Sequence, residues 1–164
     1  MVQAEQSVIG CLMMAPELLD KARAVLSPAM FEAQPLARIF SCMFELKKAG
    51  TPVDAVTVVS RLGDGYEAMI RECACIAPRI GTFPQYAAIV LDAWRERTLV
   101  TELQSLAISG RTADEMTAEL ERMAARQRSI MQKVHSASEQ TFGEAVAQAY
   151  RDLLKPDTSL KTDW

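Results

Sequence analysis

The side chains best suited to metal binding or nucleophilic chemistry are four cysteines and one histidine: Cys11, Cys42, Cys73, Cys75 and His135. No two cysteines form a C-x-x-C pair, and His135 does not complete a zinc-ligand set with the usual spacing. The favoured interpretation is therefore small buried thiols in a reducing cytosol, rather than a metal site or a disulfide. His135 falls in a polar segment, where an incidental polar role is favoured over that of a general base.

Sequence motifs for nucleotide or hydrolytic chemistry are missing. A P-loop needs Gly-x-x-x-x-Gly-Lys-Ser/Thr, because its backbone amides cradle phosphates and its lysine reaches them. Here no glycine directly precedes a lysine, so that motif is absent. The dinucleotide fingerprint, the metalloprotease helix motif and the nucleophile elbow are absent too. We predict no catalytic, cofactor-binding or metal-binding residue in this chain, and no enzymatic activity of its own.

The composition is that of a folded, helical protein. Of the 164 residues, 49% are hydrophobic and 24% are charged, which favours a globular chain over a disordered one. Aromatic residues make up only 6%, and this favours helices over a β-sandwich. The formal net charge of −3 disfavours a surface for duplex nucleic acid. The shortage of aromatic stacking residues likewise disfavours a third interpretation, a stand-alone single-strand binder.

Targeting signals are also missing. No segment approaches the roughly 18 uninterrupted apolar residues of a membrane-spanning helix. The run from Val8 to Cys11 looks like a lipoprotein cleavage box, but no Lys or Arg precedes it and Glu5 interrupts the approach. We expect a cytoplasmic protein that does not contact a membrane.

Residues 1–80 are predicted to form a globular head of about five helices. Apolar residues recur at helical spacing, and proline, glycine and Asp54 mark the ends. The β-branched run Val56–Val59 leaves a strand as an alternative, but its length and the preceding Asp54 favour a helix. The five predicted helices are Gln3–Ala15, Pro16–Leu26, Pro35–Ala49, Asp54–Leu62 and Tyr66–Ala77.

Residues 81–134 are predicted to form a long antiparallel αα-hairpin. One helix is expected from Phe83 to about Ser109. Thr112 and Glu115 then have the spacing of a capping box, which starts a second helix that runs to about Lys133. A connection this short requires two long helices to fold back on each other.

The apolar stripes of this hairpin indicate self-association. Two helices that pack together need one stripe each, and these helices carry further apolar margins. Docking of the hairpin onto the head is the alternative use of those residues. The mixed charges of the hairpin are interpreted as a solvated face. The predicted self-association residues are Leu99, Val100, Leu103, Leu106, Met116, Leu120, Met123 and Ile130.

Residues 135–164 are predicted to be a linker with one short amphipathic helix. Thr141 and Glu144 form a second capping box, and Pro156 ends the helix. A helix this short is marginal in water by itself, so we expect its apolar stripe to dock on a partner. The predicted docking residues are Phe142, Val146, Tyr150 and Leu153. The last residues look like the edge of a longer protein.

Taken in order, several segments resemble the N-terminal domain of bacterial and phage hexameric replicative DNA helicases, the DnaB family. The resemblance covers nearly the whole chain, and although each motif alone is weak, the ordered set is fairly specific. The sequence departs from the family pattern at Gly63–Tyr66, where a Gly-Gly and Tyr-Leu segment is reduced. The matching segments are Ala4–Met13, Phe31, Arg38–Phe40 with Met43, Gly50–Val58 with its Pro-Val-Asp-x-Val-Thr order, and Tyr86–Val90 followed by Arg97.

The resemblance implies an all-α fold: a compact bundle of about five helices, followed by a long antiparallel αα-hairpin and a linker helix. In this family, hairpins pair into dimers, and three dimers form the collar of a hexameric ring. The collar receives primase and, in some members, a loader. ATP and Mg²⁺ would belong to a motor domain beyond this chain, and single-stranded DNA would be bound only by the complete ring. An alternative is the helicase-binding domain of a primase, which has a similar head and hairpin.

Overall fold

The computed structural model describes residues 2–76 and 80–132. These residues form helices and turns without a β-strand, which confirms the predicted all-α class. The α-helices are α1 (Val2–Met14), α2 (Leu19–Val25), α3 (Gln34–Lys48), α4 (Ala55–Leu62), α5 (Glu67–Ile76), α6 (Phe83–Ala107) and α7 (residues 113–132). Short 3₁₀ turns lie at Pro16–Leu18, Pro28–Met30, Asp64–Tyr66 and Ile80–Thr82. The linker helix, with Phe142, Val146, Tyr150 and Leu153, lies outside the described residues.

The N-terminus of α4 explains why a β-branched run is helical. The Asp54 carboxylate accepts a hydrogen bond from the Thr57 backbone at 2.8 Å, and the Thr57 hydroxyl accepts one from the Asp54 backbone at 3.0 Å. This reciprocal box satisfies two backbone donors that a helix start would otherwise leave unpaired. Local capping therefore outweighs the strand preference of Val56 and its neighbours.

The C-terminus of α3 is closed by Gly50, as its glycine predicts. Gly50 has φ = 71°, the left-handed conformation that glycine adopts without steric cost. The Gly50 N–H donates to the Lys47 carbonyl, and the Thr51 N–H donates to the Leu46 carbonyl, each at 3.0 Å. These two bonds form a Schellman motif, which stops the helix and turns the chain towards α4.

Helix α1 is the central element of the head. Every residue from Ala4 to Met13 is buried, and the helix packs against α5 and α6. A helix that is covered on all sides belongs in the core rather than at a surface. The polar residues Glu5, Gln6 and Ser7 are buried with it.

Helix α6 belongs to both the head and the hairpin. Phe83, Ala87, Val90 and Leu91, in its first half, lie in the same buried cluster as α1. Its second half extends past the head and pairs with α7. A rigid helix therefore connects the core directly to the hairpin.

Two details differ from the sequence predictions. The second predicted helix is split, because residues 16–18 form a 3₁₀ turn before α2 begins at Leu19. The prediction that all four thiols are buried is wrong for Cys75, which is exposed, whereas Cys11, Cys42 and Cys73 are buried. Neighbouring helical residues point in different directions, so Cys73 faces the core while Cys75, two residues later, does not.

Candidate self-association surface

The connection between α6 and α7 is built from a glycine and a capping box. Gly110 has φ = 64°, so the chain can reverse there without steric strain. The Glu115 carboxylate accepts a hydrogen bond from the Thr112 backbone at 2.9 Å, and the Thr112 hydroxyl accepts one from the Glu115 backbone at 3.4 Å. The first of these bonds lowers the pKa of Glu115, since it stabilises the charged form. The predicted capping box is confirmed.

Contacts along the seam show that α6 and α7 run antiparallel. Near the turn, Glu102 pairs with Arg126 at 3.2 Å. Further from the turn, Arg95 donates to the side-chain oxygen of Gln127 at 2.9 Å. Earlier residues of α6 thus meet later residues of α7, as the short connection predicts.

The arginines near the turn are paired with carboxylates. Glu119 lies 2.7 Å from Arg122, 3.3 Å from Arg126 and 3.6 Å from Arg111. Such exposed pairs contribute little to stability, but they leave few positive charges free for a phosphate. The interpretation of this region as a mixed-charge solvated face is supported by these pairs.

The eight predicted self-association residues fall into three groups. Leu106 and Met123 are buried between α6 and α7, with exposed fractions of 6% and 3%. Leu99, Met116 and Ile130 are half-buried, and Ile130 packs against the head core. Val100, Leu103 and Leu120 are exposed by 46%, 41% and 45%. The hairpin therefore uses part of the predicted set for its own packing and leaves the rest open.

Helical spacing places the open residues on one broad side of the hairpin. At about 100° per residue, Leu103 lies about 60° around α6 from Leu106, which faces α7, and Val100 lies about 120° from it. Leu120 lies about 60° around α7 from Met123, which faces α6, in the same rotational sense. Because the two helices are antiparallel and face each other, both displacements point to the same side.

Further exposed apolar residues of the hairpin are Ile108 and Met131. Helical spacing places Met131 near the direction of Leu120 on α7. Ile108 belongs instead to the turn. Both residues belong to the apolar margins visible in the sequence. A helical pattern alone could not assign them, because it does not say which margin the partner helix covers.

Two features are absent from the described residues: a metal-ligand cluster and a membrane-spanning helix. Within residues 2–76 and 80–132, no group of three or more His, Cys, Asp or Glu side chains is placed to hold a metal ion. In the same ranges, no helix combines the length and the apolar character needed to cross a bilayer. The exposed apolar side chains gathered on one side make this surface a candidate for a protein contact.

Comparison with protein families gives one match that covers more than half of the chain. The family described as "DnaB-like helicase N terminal domain" matches residues 1–92. The match includes the whole described head and the first part of α6.

Curated relatives extend the similarity through the hairpin. The chain is 28% identical over 160 residues to a replicative DNA helicase DnaB from Geobacillus stearothermophilus. It is 26% identical over 162 residues to a replicative DNA helicase DnaC from Bacillus subtilis. Each alignment covers 93% of this chain but 35% of the relative, so the chain spans about a third of their length.

Solved structures show the same fold. The N-terminal domain of DnaB helicase from Mycobacterium tuberculosis matches with a TM-score of 0.65 and 21% identity, over 77% of this chain and 96% of that one. A DnaB-like replicative helicase, described with its interactions with primase, matches with a TM-score of 0.61 and 25% identity. That match covers 74% of this chain and 30% of the other.

Proposed function

This chain belongs to the DnaB-like helicase N-terminal domain family, and from that premise we propose that it assembles an ATP-dependent hexameric replicative DNA helicase and recruits its partners. The proposed contact is between two copies of the chain, through the side of the hairpin that carries Val100, Leu103 and Leu120. The observation that carries the proposal is the exposure of these three large side chains, which helical spacing places on one side of the hairpin.

A second copy fits this surface because the surface can complement itself. Two identical hairpins related by a twofold axis would each present the same stripe, and each would cover the other. Both apolar margins are aliphatic, and fully burying such a side chain is worth about 1.5–3 kcal/mol. Because Val100, Leu103 and Leu120 are 41–46% exposed, each would contribute roughly half of that before the cost of association. Leu99 and Met116, already half-buried, lie between the two margins by helical spacing and would add to the contact.

Higher assembly follows from the same family relationship. We propose that dimers associate into a hexamer as a trimer of dimers, which forms a collar above a motor ring. ATP and Mg²⁺ would be bound by the motor domain, and single-stranded DNA by the complete ring. The linker residues Phe142, Val146, Tyr150 and Leu153 are proposed to dock on a neighbouring subunit. The proposed location is the cytoplasm.

The proposed external partners are primase and, in addition, a helicase loader. The support for primase is the structural neighbour whose description includes its interactions with primase. The two relatives are replicative helicases that align with 93% of this chain. These alignments favour a helicase domain over the helicase-binding module of a primase.

Self-association is tested by placing a carboxylate on the proposed surface. We expect Leu120→Asp to lower the dimer fraction at a given concentration, because burying an unpaired charge is costly. Val56→Asp is the matched control, since Val56 is 78% exposed on α4 of the head. Sedimentation velocity over a concentration series measures both variants beside the wild type. A wild type that stays monomeric at high concentration, or equal weakening by both variants, would contradict the proposal.

A further inference from the structure

A short loop of the head, residues 30–33, lies between α1 and α6. From the α1 side, the Glu5 carboxylate accepts hydrogen bonds from the backbone nitrogens of Glu32 at 2.7 Å and Ala33 at 3.2 Å. Glu5 is fully buried, so these bonds are shielded from water. They fasten loop 30–33 to the head.

From the other side, Arg97 of α6 holds the same loop. Its Nη2 atom donates to the Met30 carbonyl at 2.8 Å. Its Nη1 atom lies 3.7 Å from the Glu32 carboxylate. One residue of the hairpin helix is therefore tied to a loop that the core helix already fixes.

Arg97 lies where α6 leaves the head. The buried apolar residues in the head half of α6 end with Leu91 and Ala93, and partly buried Trp94 packs against the head core. Arg97 is three positions beyond Trp94, which is about 4.5 Å along the helix. Apolar packing is non-directional and permits small sliding or rocking motions between packed helices. A hydrogen bond beyond the apolar contact restricts such rocking, because it is directional and acts with a lever arm.

Within the described part of the chain, only one terminal nitrogen of Arg97 makes a close hydrogen bond, the bond from Nη2 to the Met30 carbonyl. Among the described atoms, Nη1 of Arg97 is buried and finds no hydrogen-bond acceptor. A buried donor without a partner is unfavourable, and its cost offsets part of the gain from the bond to Met30. Because that cost reduces the net gain in stability, the directional bond to Met30 points to a role in orientation.

We propose that Arg97 is a positioning residue that fixes the direction in which the hairpin leaves the head, through loop 30–33. Without it, α6 rocks on the core while the head and the hairpin stay folded. The inference concerns one copy of the chain and does not depend on self-association. Where two hairpins pair, the direction in which each hairpin leaves its head would set the spacing of the two heads.

The direction of the hairpin relative to the head is followed through the distance between two spin labels, one on the head and one on the hairpin. Labels are attached at Lys48→Cys and Glu121→Cys, both exposed positions, in a Cys75→Ser background. The labelled protein is diluted with an excess of unlabelled protein, so that distances between copies do not contribute. Pulsed dipolar spectroscopy then gives the distribution of distances within one chain.

Arg97→Met should broaden this distribution while the helical content and melting temperature stay close to those of the wild type. Loss of a charge-assisted hydrogen bond should raise the population of displaced hairpins roughly ten-fold. Arg97→Lys keeps the charge and a donor, so it should restore part of the narrow distribution. If Arg97→Met fails to fold, the distance distribution of Arg97→Lys, compared with that of the wild type, tests the proposal instead.

Arg71→Met is the matched control, because Arg71 pairs with Glu67 on the exposed face of α5. Its distance distribution should equal that of the wild type. An unchanged distribution in Arg97→Met would overturn the proposal, as would equal broadening in Arg71→Met. Because dilution with unlabelled protein leaves only distances within one chain, distances between copies do not enter this outcome.

Discussion

The carboxylate of Glu5 accepts a hydrogen bond from the backbone nitrogen of Glu32 across 27 residues of sequence, at 2.7 Å. The second carboxylate oxygen of Glu5 accepts a hydrogen bond from the backbone nitrogen of Ala33 at 3.2 Å. A buried carboxylate is costly unless its oxygens are satisfied, and here backbone donors satisfy both. Because those donors immediately precede α3, Glu5 joins the start of that helix to the centre of the core.

Glu5→Gln should destabilise the head. A glutamine has a single acceptor oxygen, and its amide group would face the second backbone N–H as another donor. We expect the free energy of unfolding to fall by about 1–3 kcal/mol, as measured by urea titration. Glu17→Gln, at an exposed position next to α2, should leave that free energy unchanged. Equal stability of the wild type and Glu5→Gln would mean that the two backbone bonds contribute nothing.

The four thiols should differ sharply in reactivity. Burial raises the pKa of Cys11 and Cys42, and raises the pKa of Cys73 to about 12. Thiolates rather than thiols react with disulfide reagents, so these three should be inert in the native protein. Exposed Cys75 should react, and titration with a chromogenic disulfide should detect one thiol in the folded chain. Cys75→Ser should abolish the native signal, and all remaining thiols should react in denaturant.

Features fixed by neighbouring residues could be predicted from the sequence. Asp54, Gly50 and the Thr112–Glu115 pair each act within a few residues of themselves, and each forms the predicted cap. Helical periodicity likewise gave the all-α class. These signals are local because capping groups bond to backbone atoms only two to five positions away.

Features that depend on distant parts of the chain could not be predicted. Glu5 meets its donors 27 and 28 residues later, and Arg97 meets Met30 across 67 residues. Periodicity groups Leu103 with Leu106, yet three positions on a helix differ by about 60° in direction. Only the placement of α7 decides that Leu106 is covered and Leu103 is open. The sequence therefore predicts the candidate surface only as a region, and not residue by residue.

The cap of α7 should make hairpin stability depend on pH. The bond from the Thr112 backbone lowers the folded-state pKa of Glu115 below its unfolded value. Stabilisation from this group is thus fully present above the unfolded pKa and is lost as pH falls through the lowered folded pKa. Glu115→Gln should melt below the wild type at neutral pH, and the two melting curves should converge in acid. A difference that persists unchanged in acid would show that charge is not involved.

Two methionines of α7 offer a matched test of what the hairpin buries for itself. Met123 is 3% exposed, whereas Met131, two turns later on the same helix, is 42% exposed. Truncating a buried methionine removes apolar contacts and leaves a cavity, so Met123→Ala should weaken α6–α7 pairing by about 2–5 kcal/mol. Met131→Ala should cost about 1 kcal/mol or less, because the side chain is partly solvated and the contact it loses is that of its sulfur with the Arg95 side chain of α6.

The readout for this pair is native-state hydrogen exchange, resolved by segment. Met123→Ala should speed exchange in residues 113–132 and leave α1 protected, because α1 has its own core contacts in the head. Measurement at low protein concentration removes any contribution from pairing between copies. Equal exchange rates in the two variants would show that Met123 is not a packing residue of the hairpin, and the division between its covered and open residues would then be wrong.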